Sequence, residues 1–241
     1  MVSGCSTWKE PTPAKERPDE ISTLLSIIAE QNEGLRTIKG IGKARVTNGG
    51  KTYPMRIAWV ASRPDKVRFE MLGIPGQSSA TLSFDGEHYY FISPGQESII
   101  KGEPDDATIE SIISVPVNVK DVIDIMAGKV PVIDFDSASV NHREEGGDLI
   151  ITLQQGWFGK SQKIYYDPMT KRVKRAEILS FTGSLEYGVR FEKMTRVNDF
   201  LLPFIFSLSS DNGASFRWET ERCYANVPVS PHVFVLVPDA E

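Results

Sequence analysis

The chain has 241 residues, 40% of them hydrophobic and 24% charged, the proportions of a globular protein that buries roughly 70–75% of its unfolded surface. Its 32 acidic against 27 basic side chains give a net charge of −5, which argues against a nucleic-acid partner, since such binders carry a basic excess. No apolar run approaches the roughly 20 residues that a membrane-spanning helix requires.

Cys5 follows Val2-Ser3-Gly4, and small residues before an early Cys resemble the end of a bacterial lipobox, where that Cys becomes the lipidated first residue of the mature protein. This reading expects the basic and apolar parts of a signal peptide to lie upstream of the residues given. The alternative is a free thiol in an unstructured tail. Residues 6–18 mix Pro11, Pro13 and Pro18 with charges around Trp8; such a stretch buries too little to offset its ordering entropy and reads as a tether. The organisation expected is a lipobox-like Cys and Pro-rich tether over 1–18, then one domain over 19–241.

Ile21, Leu24, Leu25 and Ile28 form a helical stripe, with Asp19 and Glu20 at its positive end and Gly34 as its stop. From Leu35 the period becomes two: Ile38, Gly40, Gly42, Ala44 and Val46 share one face, and Lys39, Lys43 and Arg45 the other. Asn48-Gly49-Gly50 is a hairpin turn into Met55, Ile57 and Trp59. Val67, Phe69 and Met71, then Ala80, Leu82 and Phe84, continue the alternation, and Asp85-Gly86 turns the chain into His88–Ile92. Ile109, Ile112 and Ile113 make a short helical stripe ended by Pro116. Asn118 caps a second helix carrying Val119, Val122, Ile123 and Met126, with Gly128 as its stop. Strands resume near 136–143, 148–156, 160–166, 172–182, 185–195, 202–209 and 214–222, and a terminal strand follows His232. About eleven antiparallel strands are too many for a flat sheet. The fold expected is mainly β, a curled antiparallel sheet or unclosed half-barrel with helices packed in or over its mouth.

Chemistry-bearing constellations are missing. His88, His142 and His232 stand in no metal spacing, two cysteines cannot build a zinc site, and no Gly-x-Ser-x-Gly elbow occurs. Cys223 lies in a late strand and reads as a structural thiol. Gly40-Ile41-Gly42 opens no helix, so these glycines mark close packing or bending of a strand. Asp105-Asp106 and Glu144-Glu145 read as solvated turn charges. No enzyme, cofactor or metal is expected.

The stretch Lys66–Gly86, a charged-apolar strand running into Leu72-Gly73-Ile74-Pro75-Gly76 and returning as Ala80-Thr81-Leu82-Ser83-Phe84, resembles the third and fourth strands of the LolB family of outer-membrane lipoproteins. The Val119–Val132 segment resembles that family's short helix ending in Leu-Gly-x-x-Pro, and Asn226–Phe234 with Pro238 is similar to the C-terminus of LolB-like lipoproteins. The resemblance implies an unclosed β-barrel whose apolar cavity holds acyl chains. It further implies a monomer anchored by lipid in the outer membrane, facing the periplasm, that accepts lipoproteins from a LolA-like carrier without covalent chemistry. The cavity face implied comprises Trp59, Phe69, Met71, Leu82, Phe84, Tyr89 and Phe91, lidded by Ile123 and Met126. The same residues also suit an ordinary filled core. LolB proteins carry an exposed apolar residue just after the loop Pro; here Gly76 follows Pro75, and Leu72 and Ile74 precede it, so Leu72, Ile74 and Pro75 form the candidate membrane-insertion loop. The alternative function is an envelope lipoprotein scaffold or sensor that binds a protein on this fold without lipid cargo.

Overall fold

A computed structural model describes residues 18–73, 80–93, 98–103, 106–142 and 147–237. It contains one antiparallel sheet of 13 strands: β1 (Thr37–Asn48), β2 (Lys51–Ser62), β3 (Lys66–Leu72), β4 (Thr81–Asp85), β5 (Tyr89–Ile92), β6 (Ile100–Gly102), β7 (Ser137–His142), β8 (Leu149–Gln154), β9 (Ser161–Asp167), β10 (Arg172–Leu179), β11 (Leu185–Val197), β12 (Phe200–Ser209) and β13 (Ser215–Ala225). The order runs β6-β5-β4-β3-β2-β1-β13-β12-β11-β10-β9-β8-β7, with β6 and β7 as unpaired edges, so the sheet is curled but not closed. Three helices accompany it: α1 (Pro18–Glu30), α2 (Asp106–Ile113) and α3 (Val119–Met126). The half-barrel expected from alternation is present, with 13 strands rather than about eleven. Three-residue β6 is too short to show a period.

The alternating residues divide as their chemistry demands. Along β1, Ile38, Ala44 and Val46 are buried while Lys39, Lys43 and Arg45 are exposed. A Cβ on Gly40 would stand 2.3 Å from the Arg222 carbonyl oxygen and 2.5 Å from the Trp59 ring, and one on Gly42 2.2 Å from the Glu219 carbonyl oxygen. Only glycine lets β13 and the Trp59 indole approach so closely, and the β1–β13 register shifts between Ile41 and Gly42. The outer faces of β1, β2 and β13 carry ion pairs such as Arg45–Glu219 at 2.7 Å and Arg56–Glu221 at 3.1 Å.

α1 buries Leu24 and Ile28 against the core, and Ile21 is buried beside them. It ends at Glu30 rather than at Gly34, because Asn32 takes the left-handed conformation (φ 55°) and leaves the helical path. The Asn32 amide donates to the carbonyls of Ala127 and Leu201 (2.8 Å each) and accepts from the Leu201 N–H, pinning α1 to the end of α3 and the start of β12. The C-terminal segment also departs from expectation. Residues Pro231–Phe234 form a 3-10 helix, not a strand, and lie on the outer faces of β3 and β4. Arg68 donates to the Val233 carbonyl (3.1 Å) and Ser83 to that of Phe234 (2.7 Å). This explains why both faces of β4 are buried.

Candidate functional site

The concave face of the sheet holds an apolar pocket beneath α2 and α3. Its floor comes from β1 (Val46), β2 (Met55, Ile57), β3 (Phe69, Met71), β4 (Leu82) and β13 (Phe216, Trp218). Its roof is Ile109, Ile112 and Ile113 of α2 with Val122 of α3. Only about 30 Å³ is open to a water-sized sphere, room for a water or two and far short of an acyl chain. Aromatic rings pack around Trp218: Trp59 edge-on at 4.6 Å, Phe206 stacked at 5.9 Å and Phe69 edge-on at 6.2 Å. The Trp218 indole donates to Thr220 Oγ1 (3.0 Å), whereas the buried Trp59 Nε1 finds no acceptor among the described residues.

Of the cavity residues read from the sequence, Phe69, Met71 and Leu82 line this pocket, and Trp59 stands behind it against Trp218. Phe84 is buried next to Tyr89 (6.4 Å), and Tyr89 and Phe91 are half-buried beside the core. On β5 the most buried residue is Tyr90, of the opposite face, whose hydroxyl donates to Asp85 (2.8 Å). Ile123 and Met126 do not line the pocket. α3 buries Val122, Ile123, Ile125 and Met126, so it is core on more than one side. It is fastened at both ends, by Tyr187 donating to Asp121 (2.7 Å) and by the Arg63–Asp124 ion pair (3.0 Å). Asn118 caps it as expected, accepting from the Asp121 N–H (2.8 Å). Leu72 ends β3 half-buried; Cys5, Ile74 and Pro75 lie outside the described residues.

A cleft of about 510 Å³, lined by polar and apolar groups alike, lies on the other side of α2. Glu110, Asn118 and Asp121 face Tyr187 and the turns at Ser184–Glu186 and Ser210–Asn212. Burial, then the Asp121 charge, pushes the Tyr187 hydroxyl far above its ordinary value, so it stays a donor. Neighbouring residues of α2 thus face opposite environments, Ile109 the apolar pocket and Glu110 the cleft. At the α2–α3 junction Ser114 adopts a left-handed conformation (φ 62°), and its Oγ accepts from Asn48 (3.2 Å). A second apolar space, an open groove of about 620 Å³, runs between α1 (Ile21, Leu25, Ala29) and Val132, Phe135 and Ala138 beside edge strand β7. Among the described residues no cluster of His, Cys, Asp or Glu could hold a metal ion, and no helix is long and apolar enough to cross a membrane.

No family model matches the chain, and no curated protein matches it in sequence. Its fold is similar to a number of solved structures, three of which follow. A DUF1329 family protein from Desulfovibrio piger is 9% identical with a TM-score of 0.64, covering 89% of this chain and 97% of that one. A LolA superfamily protein from Nitrosomonas europaea is 10% identical with a TM-score of 0.59, covering 90% and 97%. A domain assigned to outer membrane lipoprotein sorting, from Vibrio parahaemolyticus, is 12% identical with a TM-score of 0.56, covering 89% and 94%. At these identities the likeness is one of fold alone: the chain shares the overall architecture of these structures.

Proposed function

We propose that this protein is a lipid-anchored envelope lipoprotein that binds acyl chains between the half-barrel and α2. In this reading it helps to receive or insert lipoproteins at the outer membrane, through a LolA-like carrier and without covalent change. The observation that carries the reading is the wholly apolar pocket, roofed by a short helix whose other side faces a cleft that holds polar groups such as Glu110, Asp121 and Tyr187. An amphiphile has that same division. The likeness to a lipoprotein-sorting domain and to a LolA superfamily protein supports it as an analogy of fold.

The closed pocket is too small for a chain, so α2 is assigned the role of lid, in place of α3. Releasing its three pocket-facing isoleucines costs roughly 5–9 kcal/mol at about 1.5–3 kcal/mol each. A chain of about fourteen methylenes gains roughly 11 kcal/mol on leaving water, enough to take their place with a small surplus.

The narrowness of the pocket favours a second reading, a scaffold that binds a protein on the same fold and carries no lipid. Native mass spectrometry of the purified chain separates the two, together with titration of a fluorescent fatty acid. Co-purifying acyl chains, displaced by the probe, support the carrier. A chain that holds no lipid and binds no probe overturns it.

A further inference from the structure

The most exposed aromatic side chains of the described residues stand on two neighbouring turns. Trp157 and Phe158 are 90% and 80% exposed in the β8–β9 turn, and Phe181 is 70% exposed in the β10–β11 turn. Ser161, which follows the first turn, pairs with Leu179, which precedes the second, so the turns lie side by side at one end of the sheet. Lys160 and Glu186 join them by an ion pair of 2.6 Å.

Both turns are built to hold their aromatics outward. In the first, the Gln155 N–H donates to the Lys160 carbonyl (2.9 Å), the Gln154 amide to that of Gly156 (3.0 Å), and the Gly156 N–H to Asp136 (2.6 Å). A Cβ on Gly159 would stand 1.8 Å from the Gln155 carbonyl oxygen, so the turn requires glycine there. In the second, the Ser180 N–H donates to the Ser184 carbonyl (2.9 Å), and the Ser180, Thr182 and Ser184 hydroxyls form a chain at 2.8 and 3.1 Å. With so many of their polar groups already partnered, the turns lose less on leaving water.

We propose that these paired turns dock the protein on a lipid bilayer, with Trp157, Phe158 and Phe181 entering the headgroup layer. Three features favour a bilayer over a protein partner. The aromatics sit on projecting turn tips, which a deformable interface accommodates and a rigid partner must match with pockets. Trp and Phe beside polar groups suit the water–lipid boundary, where aromatic residues concentrate. Residues 155–160 and 180–184 contain no carboxylate, in a chain with 32 Asp and Glu, and the two that touch the turns are partnered, Asp136 by the Gly156 N–H and Glu186 by Lys160, which lessens repulsion of anionic lipid. The inference does not rest on acyl-chain binding, because docking and cargo are read separately.

The test uses the full chain with Cys5→Ser, which removes lipidation, and Trp8→Phe. Trp157 is then the exposed tryptophan, since Trp59 and Trp218 are 5% and 2% exposed. Vesicles of phosphatidylethanolamine and phosphatidylglycerol should sediment with the protein, shift its emission to the blue and, when bromine-labelled in their acyl chains, quench it. Each aromatic that enters the interface is worth about tenfold or more in partitioning. Trp157→Ser with Phe158→Ser should therefore weaken vesicle binding about a hundredfold, and Phe181→Ser about tenfold, with melting temperatures unchanged. Absence of vesicle binding, emission indifferent to bromolipid, or unchanged binding by the double variant would each overturn the proposal. So would self-association abolished by the same substitutions, which would assign the turns to a second copy of the chain.

Discussion

If α2 is a lid, weakening it should tighten acyl-chain binding, the reverse of what damage to an ordinary site does. Ile109 is 1% exposed and faces the pocket from the middle of α2. Ile109→Ala removes packing that exists only while the lid is closed, at a cost of about 2–5 kcal/mol. The open form gains by the same amount relative to the closed one. Apparent affinity scales with the fraction of molecules competent to bind, so even about 2 kcal/mol raises it roughly thirtyfold while the open form stays the minority. A dansyl-labelled fatty acid titrated into wild type and Ile109→Ala measures the ratio, and thermal melting should show the variant destabilised. Equal or weaker affinity in a folded, destabilised variant would refute the lid. Leu82→Trp, which fills the pocket floor, is the opposing control and should lower affinity.

Ile123→Asp should leave no cooperative melting transition, since it sets a charge at a fully buried position of α3 at a cost comparable to the whole stability of the domain. For Asp85, burial alone would raise the carboxyl, but the His88 and Glu87 N–H groups and the Tyr90 hydroxyl outweigh it and hold the pKa below the ordinary 3.8. Its contribution is therefore full above the ordinary carboxylate range and is lost as pH falls through the depressed value; melting of wild type against Asp85→Asn across acid pH should show a shallower decline in the variant. Burial and then Asp85 push the Tyr90 hydroxyl up to about 12, so its contribution is complete below pH 10 and fades between about 10 and 12. Burial lifts the Cys223 thiol to about 11 against an ordinary 9.0, so at pH 8 iodoacetamide should label it about a hundredfold more slowly than a free thiol, read by mass spectrometry on Cys5→Ser. Expressed behind a lipoprotein leader, wild type should fractionate with outer membrane and carry lipid mass, and Cys5→Ser should lose both.

Period-two alternation made most of the sheet legible, because a residue such as Phe69 between Arg68 and Glu70 has one favourable orientation on a half-buried surface. Turn chemistry was legible too: Gly49 and Gly50 take positive φ (56° and 75°), as the β1–β2 hairpin demands. What escaped depends on distant pairing. β1 lies beside β13, which brings Phe216 and Trp218 to the pocket from 170 residues away, and no local pattern announces that. The lid was read onto α3 because its apolar stripe is the stronger one; in the fold that strength marks a helix buried as core, while the three isoleucines of α2 roof the pocket. The C-terminal segment escaped because its partners, Arg68 and Ser83, look like solvent-facing residues. The docking turn did leave a signal, two aromatics bracketed by Gly156 and Gly159, where a hairpin turn ordinarily carries polar residues.

The positions of lid, cleft and aromatic turns bear on how a chain could leave the protein. Register places the β8–β9, β10–β11 and β12–β13 turns at one end of the sheet, and the cleft beside α2 is lined by residues of the last two. Swinging α2 away would join the pocket behind Ile109 to the cleft before Glu110, making one amphipathic space that opens at that end. An acyl chain crossing bulk water on its way to a membrane would forfeit roughly 11 kcal/mol, about eight powers of ten in rate. A chain passing from this space into a bilayer already held by Trp157, Phe158 and Phe181 exposes little of itself at any moment. The α1 groove beside β7 is the competing exit, and its Phe135 stands next to Asp136, which accepts from the Gly156 N–H of the same aromatic turn. Tip substitutions should therefore slow acyl-chain transfer to vesicles while leaving the affinity for a soluble fatty-acid probe unchanged, whereas Ile109→Ala should alter the affinity. Should tip substitutions lower the affinity for the soluble probe as well, the two devices are not separate, and the exit proposed for the chain is wrong.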